Sequence, residues 1–287
     1  MVDAHTHLFG PDVVQRREAL LGQEPWFGAL YANPAAVLAG EEDLLATMDA
    51  AGVQATVACG FPWSDLGRCR SENDMLADVS RRGRGRVAWV ASVSPRDARD
   101  AAREAERAFA AGASGLGELN ADGQGFDLAD PVAFAPVARV CIEADRPVLL
   151  HASEPVGHAY PGKGTATPEK LLAFVAAFPE LKVVLAQWGG GLPFFELMPE
   201  VAVACRNVWY DTAASTFLYK PAVFRAVLDI VGPAKVLWGS DYPVLGMGRF
   251  LRRCREEAGV RDDEAPGLFG ENAGRVYGLA DRGADRA

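Results

Sequence analysis

An α/β protein built as a single (β/α)8 barrel, the TIM-barrel architecture, is the fold class this sequence predicts. Three observations carry that expectation. Eight apolar segments of strand length alternate with segments of helical period along most of the chain, and no low-complexity linker divides them. No Gly-x-Gly-x-x-Gly follows the first strand, which weakens the runner-up, an open doubly wound sheet of the dinucleotide-binding kind. Residue types that bind metals end several of the apolar runs, and parallel barrels gather their chemistry at strand carboxyl ends.

Strands are expected at 2–7 (VDAHTH), 54–61 (QATVACGF), 87–94 (VAWVASVS), 114–120 (SGLGELN), 147–153 (PVLLHAS), 182–188 (KVVLAQW), 208–214 (VWYDTAA) and 236–242 (VLWGSDY). The segment 41–51 places Leu44, Leu45 and Met48 on one helical face, and Gly52 stops it. Segments 97–111, 132–144, 168–178, 194–204 and 221–231 read the same way, with Gly112, Pro179 and Gly232 as punctuation. The connection at 8–40 is long and carries Trp26, Phe27 and Tyr31. On a barrel it is expected to lie over the carboxyl-end mouth. Residues 247–278 read as two helices packed on the barrel. One barrel domain is therefore expected over 1–279, and the charged tail 280–287 is expected to fray.

At 287 residues and 49% hydrophobic content the chain can bury a large core of its own. The net charge of -9, from 29 Lys and Arg against 38 Asp and Glu, argues against nucleic acid and anionic membranes as partners and leaves small molecules. No segment reaches the ~20 apolar residues of a membrane span. The sequence enters a strand at once, leaving no room for a signal peptide. Five scattered cysteines without a CxxC pair predict reduced thiols and a cytoplasmic protein.

The chemistry begins at Asp3-Ala4-His5-Thr6-His7. Residues i and i+2 of a strand share a face, so His5 and His7 aim two imidazoles at one point. Taken alone, the pair also reads as two satisfied polar groups near a strand end. His151 ends the fifth apolar run, Asp241 the eighth, and Glu118 and Gln187 stand at the fourth and sixth. A barrel brings all of these to one mouth.

The chain resembles the amidohydrolase superfamily, in its amidohydrolase-2 branch of metal-dependent hydrolases and decarboxylases. The resemblance runs through Asp3-Ala4-His5-Thr6-His7, Gly117-Glu118-Leu119-Asn120, His151-Ala152-Ser153-Glu154, Gly189-Gly190-Gly191-Leu192-Pro193-Phe194, Gly239-Ser240-Asp241-Tyr242-Pro243 and Gly270-Glu271-Asn272-Ala273, and so covers nearly the whole chain. It implies a divalent metal, usually zinc with manganese as the other choice, held by His5, His7, His151 and Asp241. Asp241 would also pass protons. Glu118 is a further ligand candidate, against a plain reading as a mouth carboxylate paired with a cation. The branch usually has a histidine where this chain has Gln187, and glutamine accepts no proton at neutral pH. That departure favours one ion over two. It leaves three readings of Gln187: a residue orienting substrate or water, a mark of lost activity, or an engineered change.

After the fifth strand, residues 154–166 offer His158 as a proton-donating or substrate-binding group and Lys163 as a partner for a substrate carboxylate; solvated loop residues are the plainer reading of both. Trp26 and Trp188 are candidates to shape an apolar substrate pocket. Gly157 to Lys163 match the opening of a phosphate-binding loop, but Gly164 stands where Ser or Thr is required and Pro161 lacks an amide hydrogen, so nucleotide is not expected. Arg249, Arg252 and Arg253 read as a solvated face.

The leading expectation is a metal-dependent hydrolase, with activated water attacking an amide, ester or lactone carbonyl of a small molecule. The alternative is a non-oxidative decarboxylase, a lyase. The third is a catalytically impaired or non-catalytic barrel. Similar proteins are commonly homodimers, and the sequence marks no interface of its own.

Overall fold

Eight short strands run parallel through the computed structural model, which describes residues 1–279: β1 (Val2–His7), β2 (Ala55–Cys59), β3 (Val87–Trp89), β4 (Leu116–Leu119), β5 (Val148–Leu150), β6 (Val183–Leu185), β7 (Val208–Asp211) and β8 (Val236–Leu237). Continuous ladders join β1 to β3 and β4 to β8. The two remaining seams are closed by single bridges. Ala91 N donates to Gly115 O and Gly117 N to Ala91 O, each at 2.9 Å, between the third and fourth strands. Ala4 N donates to Trp238 O and Asp241 N to His5 O, also at 2.9 Å, between the eighth and the first. Asp3 reinforces this seam, its Oδ1 accepting from Ser240 N at 2.9 Å and His5 N at 3.2 Å. The sheet is thus a closed ring, as the sequence predicts.

Strand parity divides the core in two. Val57, Ala88, Leu149, Val184 and Leu237 point inward and meet Ala273, Val276 and Tyr277 of the helix Asn272–Tyr277, which plugs one end of the ring. Asn272 fixes that plug, with Nδ2 donating to Pro233 O and Val236 O at 2.8 Å. Val87, Trp89, Val148, Leu150, Val183, Leu185 and Trp238 point outward against the helical layer. Both faces of each strand are buried, which is why the strands read as unbroken apolar runs.

The helices follow their sequence signals closely. Glu41–Ala51 ends at Gly52 in the left-handed conformation (φ 69°). Ala98–Ala110 and Pro131–Glu143 are capped by Asp97 and Asp130, which accept backbone N–H groups, each cap worth about 1 kcal/mol. The sequence reading omitted Leu66–Arg82. Its buried positions Cys69, Glu72, Asn73, Leu76 and Val79 keep helical spacing, but two of them are polar and hide the apolar stripe. Asn73 is satisfied there by Ser92 N, Ser92 O and Glu104.

Strands end earlier than expected on the carboxyl side. The expected 182–188 closes at Leu185 and 236–242 at Leu237, because the backbone turns left-handed at Gln187 (φ 51°) and Asp241 (φ 60°). The expected helix 194–204 becomes a 3-10 segment over Gln187–Leu197 followed by Pro199–Ala204. The segment 8–40 folds into three short helices, Pro11–Gln15, Arg17–Gln23 and Pro25–Tyr31. Phe27 anchors them, stacking on Tyr31 (4.8 Å between centroids) and on Trp63 (5.4 Å) beyond the end of β2. The expected tail 280–287 lies outside the described residues.

Candidate metal centre

The carboxyl ends of the strands converge as the fold requires. His5 Nδ1 lies 2.7 Å from Asp211 Oδ2, at the end of β7. His7 Nδ1 lies 3.2 Å from Gly60 O, just past β2. Both partners are acceptors, so each ring holds a proton on Nδ1 and leaves Nε2 as the atom that can offer a lone pair to an ion once it is free of a proton. The two Nε2 atoms face one another at 3.2 Å. Two lone pairs held together in a buried site call for a cation between them.

Glu118 and Asp241 complete the group. Glu118 Oε2 lies 3.8 Å from His5 Nε2 and 3.5 Å from His7 Nε2. Asp241 Oδ1 lies 3.9 Å and 3.4 Å from the same atoms. Four ligands at about 2.1 Å from a common ion sit about 3.4 Å apart at the corners of a tetrahedron. The five separations, 3.2 to 3.9 Å, bracket that value. Two neutral imidazoles and two carboxylates are a suitable donor set for a divalent ion, so the residues fit the group.

Local backbone explains how Glu118 reaches the mouth. Leu116 belongs to the outward-facing core, so strict alternation would send residue 118 outward as well. The register between β4 and β5 shifts between Leu116 and Leu119, and Gly117 takes φ 135° there. A Cβ at Gly117 would stand 2.6 Å from Leu149 O, so glycine alone permits this irregular turn, which aims Glu118 inward.

The electrostatics follow from burial and neighbours. Burial alone would lower the His5 pKa, but the Asp211 carboxylate, aided by Cys59, carries it well above its ordinary value. Burial is likewise outweighed at His7, by Cys59 and Asp241. Burial would raise Glu118, yet His151, His5 and His7 hold it well below the carboxylate range. At Asp211 burial prevails over His5 and the pKa rises. The carboxylates therefore draw positive charge into the cluster, and a divalent ion answers the same field.

His151, expected as a ligand, lies against Glu118 at the same mouth. Its Nδ1 meets Glu118 Oε1 at 3.1 Å and its Nε2 meets Gly162 O at 3.1 Å. Ser153 Oγ also lies 3.4 Å from Nε2. Burial would lower the His151 pKa, and Glu118 reverses this. Gln187 touches the same oxygen, Nε2 donating to Glu118 Oε1 at 3.4 Å while its own Oε1 accepts from Ala152 N at 3.3 Å. The structure thus gathers His5, His7, Glu118 and Asp241 round one point, with His151 and Gln187 bracing Glu118 from behind.

A cavity of about 570 Å³ opens onto this group. Trp26 lines it, edge-on to His151 at 6.4 Å, and His158 stands exposed at its rim. Two expected substrate-binding residues lie elsewhere. Trp188 is fully buried outside the cavity, its Nε1 donating to Ser215 Oγ at 2.7 Å and its ring packed on Phe224; the left-handed backbone at φ 58° swings it into the helical layer. Lys163 braces its own loop, with Nζ donating to Val156 O at 2.8 Å and His158 O at 3.1 Å.

Sequence reasoning missed Asp211 and Cys59. Asp211 ends β7 as the ligand candidates end their strands, and that position was the available signal. Cys59 clusters with His5 and His7, and their attraction outweighs burial to bring its thiol down to about 7. It sits behind His7, 3.5 Å from Nδ1, and donates to Thr6 O at 3.1 Å. One ligand atom from each of Cys59, His5 and His7 lies within 4.8 Å of the others, so the thiol is a further ligand candidate beside the carboxylates.

Among solved structures, the 5-carboxyvanillate decarboxylase of Sphingomonas paucimobilis superposes with a TM-score of 0.78 over 96% of this chain and 98% of its own, at 21% identity. The 5-carboxyvanillate decarboxylase of Novosphingobium aromaticivorans, solved with manganese and 4-hydroxy-3-methoxy-5-nitrobenzoic acid, gives 0.77 over 96% and 95%, at 18% identity. At these identities the likeness establishes the barrel fold. In sequence, the 6-methylsalicylic acid decarboxylase of Penicillium expansum is 26% identical over 151 residues, spanning 42% of this chain and 46% of that protein. The profile of the amidohydrolase family Amidohydro_2 matches residues 2–279. With that match across all but the termini, the chain belongs to the amidohydrolase family.

Proposed function

We propose that this protein is a metal-dependent, non-oxidative decarboxylase of a small aromatic acid. The observation that carries the reading is the cluster of two facing imidazole Nε2 atoms and two carboxylates at the floor of a cavity sized for a small molecule. Decarboxylation displaces hydrolysis as the preferred reaction for two reasons. The three relatives described above are named as decarboxylases. Gln187 also occupies the position where hydrolysis would draw on a strand-6 base, and an amide cannot take a proton from water.

One divalent ion, held by His5, His7, Glu118 and Asp241, is the cofactor we infer. Manganese is favoured over zinc by the neighbour solved with it. A single ion fits better than two, because the second oxygen of Glu118 is engaged by His151 and Gln187. When bound, the ion would supply positive charge to the substrate's oxygens.

The protein's own groups do the rest. Asp211 and Gly60 O fix the ring tautomers of His5 and His7. His151 and Gln187 hold Glu118 in place. Trp26 covers the bound ring and limits water. Asp241, at the cavity wall, carries a proton to the ring carbon. The bond from that carbon to the carboxylate breaks, its electron pair takes the proton, and carbon dioxide leaves. His158, at the rim, is positioned to relay protons from solvent.

The test is incubation of the manganese-loaded protein in D2O with a panel of hydroxybenzoates, amides, esters and lactones. Release of carbon dioxide, with one deuterium at the carbon that lost it, is expected. Hydrolysis of the carbonyl substrates without carbon dioxide release would reverse the assignment.

A further inference from the structure

The charge of the cavity wall restricts the substrate further than the reaction class does. Trp26, Leu30, Phe217, Leu218 and Val244 supply the apolar walls, and the polar residues among them, Tyr31, Asn33, Asn120, Tyr160 and Gln187, are neutral. Among the described residues, no lysine or arginine lines the cavity.

The cations that come near are already engaged. Lys163 donates to two carbonyls of its own loop. Arg17 lies behind the wall and donates to Tyr31 O at 2.8 Å and Asn33 O at 2.6 Å. His151 is engaged by Glu118 Oε1 and Gly162 O. Glu118 and Asp241 at the floor are carboxyl groups and offer no cation.

A substrate carboxylate at the metal is compensated there. A second carboxylate on the same ring would have to lie against the apolar wall, desolvated and with no cation to pair it. We propose that this cavity selects an aromatic monocarboxylate whose other ring substituents are uncharged, and that it rejects the matching dicarboxylate. The inference rests on the decarboxylase reading for the choice of an aromatic acid, and on the wall alone for the charge preference.

The test compares 2-hydroxybenzoate with 2-hydroxybenzene-1,3-dicarboxylate, which share the same hydroxy-acid unit. Dissociation constants are measured by calorimetry on the manganese-saturated protein at pH 8. The monocarboxylate is expected to bind at least tenfold more tightly. In Leu30→Arg, which places a guanidinium on the wall beside Gly162, the dicarboxylate is expected to gain at least tenfold. A ratio under tenfold in the wild-type protein, or no binding of either acid, overturns the proposal. Carbon dioxide release is followed separately. A strong binding preference with no release from either acid would count against decarboxylation while upholding the charge preference.

Discussion

Replacing Asp211 by Asn probes the metal centre without touching a proposed ligand. Asp211 Oδ1 accepts from Gln187 N at 3.1 Å and Ala213 N at 2.9 Å, while Oδ2 accepts from His5 Nδ1 at 2.7 Å. An asparagine can satisfy only one side. With its oxygen toward the two amides, its NH2 faces His5 Nδ1 and drives the imidazole to the other tautomer. The proton then sits on Nε2, where the ion needs a lone pair. With the amide flipped, two buried N–H groups lose their acceptor, at about 1–3 kcal/mol each. Either route costs at least about 2 kcal/mol, which is roughly 30-fold in affinity. This agrees with the 10–100-fold effects typical of groups that orient a metal-bound histidine. The assay is a manganese titration of the metal-stripped variant by calorimetry, with thermal unfolding of the stripped proteins as the control for folding. An affinity within threefold of wild type would refute the tautomer argument.

Four further outcomes are expected. The pKa of Glu72, raised by burial to about 8, lies above its ordinary value of 4.5. Its proton is therefore bound more tightly in the folded state, and stability is lost as pH rises toward 8. Glu72→Gln removes that loss, so chemical denaturation should show the variant gaining on wild type by up to about 4 kcal/mol between pH 5 and pH 8, and parallel profiles would contradict this. Metal uptake must displace protons from His5 and His7, both raised in pKa, so manganese affinity should fall at least about tenfold from pH 8 to pH 6; a flat titration series would oppose it. Gly190→Ala would set a Cβ 2.4 Å from Ser153 O at φ 60° and should cost at least about 2 kcal/mol in unfolding free energy, an argument that an unchanged melting temperature would defeat. Trp26→Ala should raise KM for the aromatic acid more than it lowers kcat, whereas a pure loss of kcat would assign Trp26 to the chemistry instead.

Much of the barrel was legible because both faces of its strands are buried, so β5 to β8 read as apolar runs whatever their neighbours. The ends of those runs also showed where to look for chemistry, since His5 and Glu118 stand near the ends of their strands, His7 closes one, and His151, Gln187 and Asp241 follow theirs. Backbone direction was less visible. Nothing in the string Gln187-Trp188-Gly189-Gly190-Gly191 announces that all five residues take positive φ, which is what turns Trp188 away from the cavity. Nor does residue type reveal pairing. The sequence does not show that Glu118 and Gly162 O meet the two nitrogens of His151, and Asp211 reads as an ordinary strand residue until His5 is found beside it. The helix Leu66–Arg82 escaped for a related reason, because it buries Glu72 and Asn73 against partners nine or more residues away in sequence.

The central claim is best tested by a crystal structure of the manganese-loaded protein, with anomalous scattering recorded to locate the ion. The account predicts one ion within about 2.0–2.3 Å of His5 Nε2, His7 Nε2, a Glu118 oxygen and an Asp241 oxygen, with His151 held on the other oxygen of Glu118. An ion bound through Cys59, or anomalous density away from these four side chains, would contradict it.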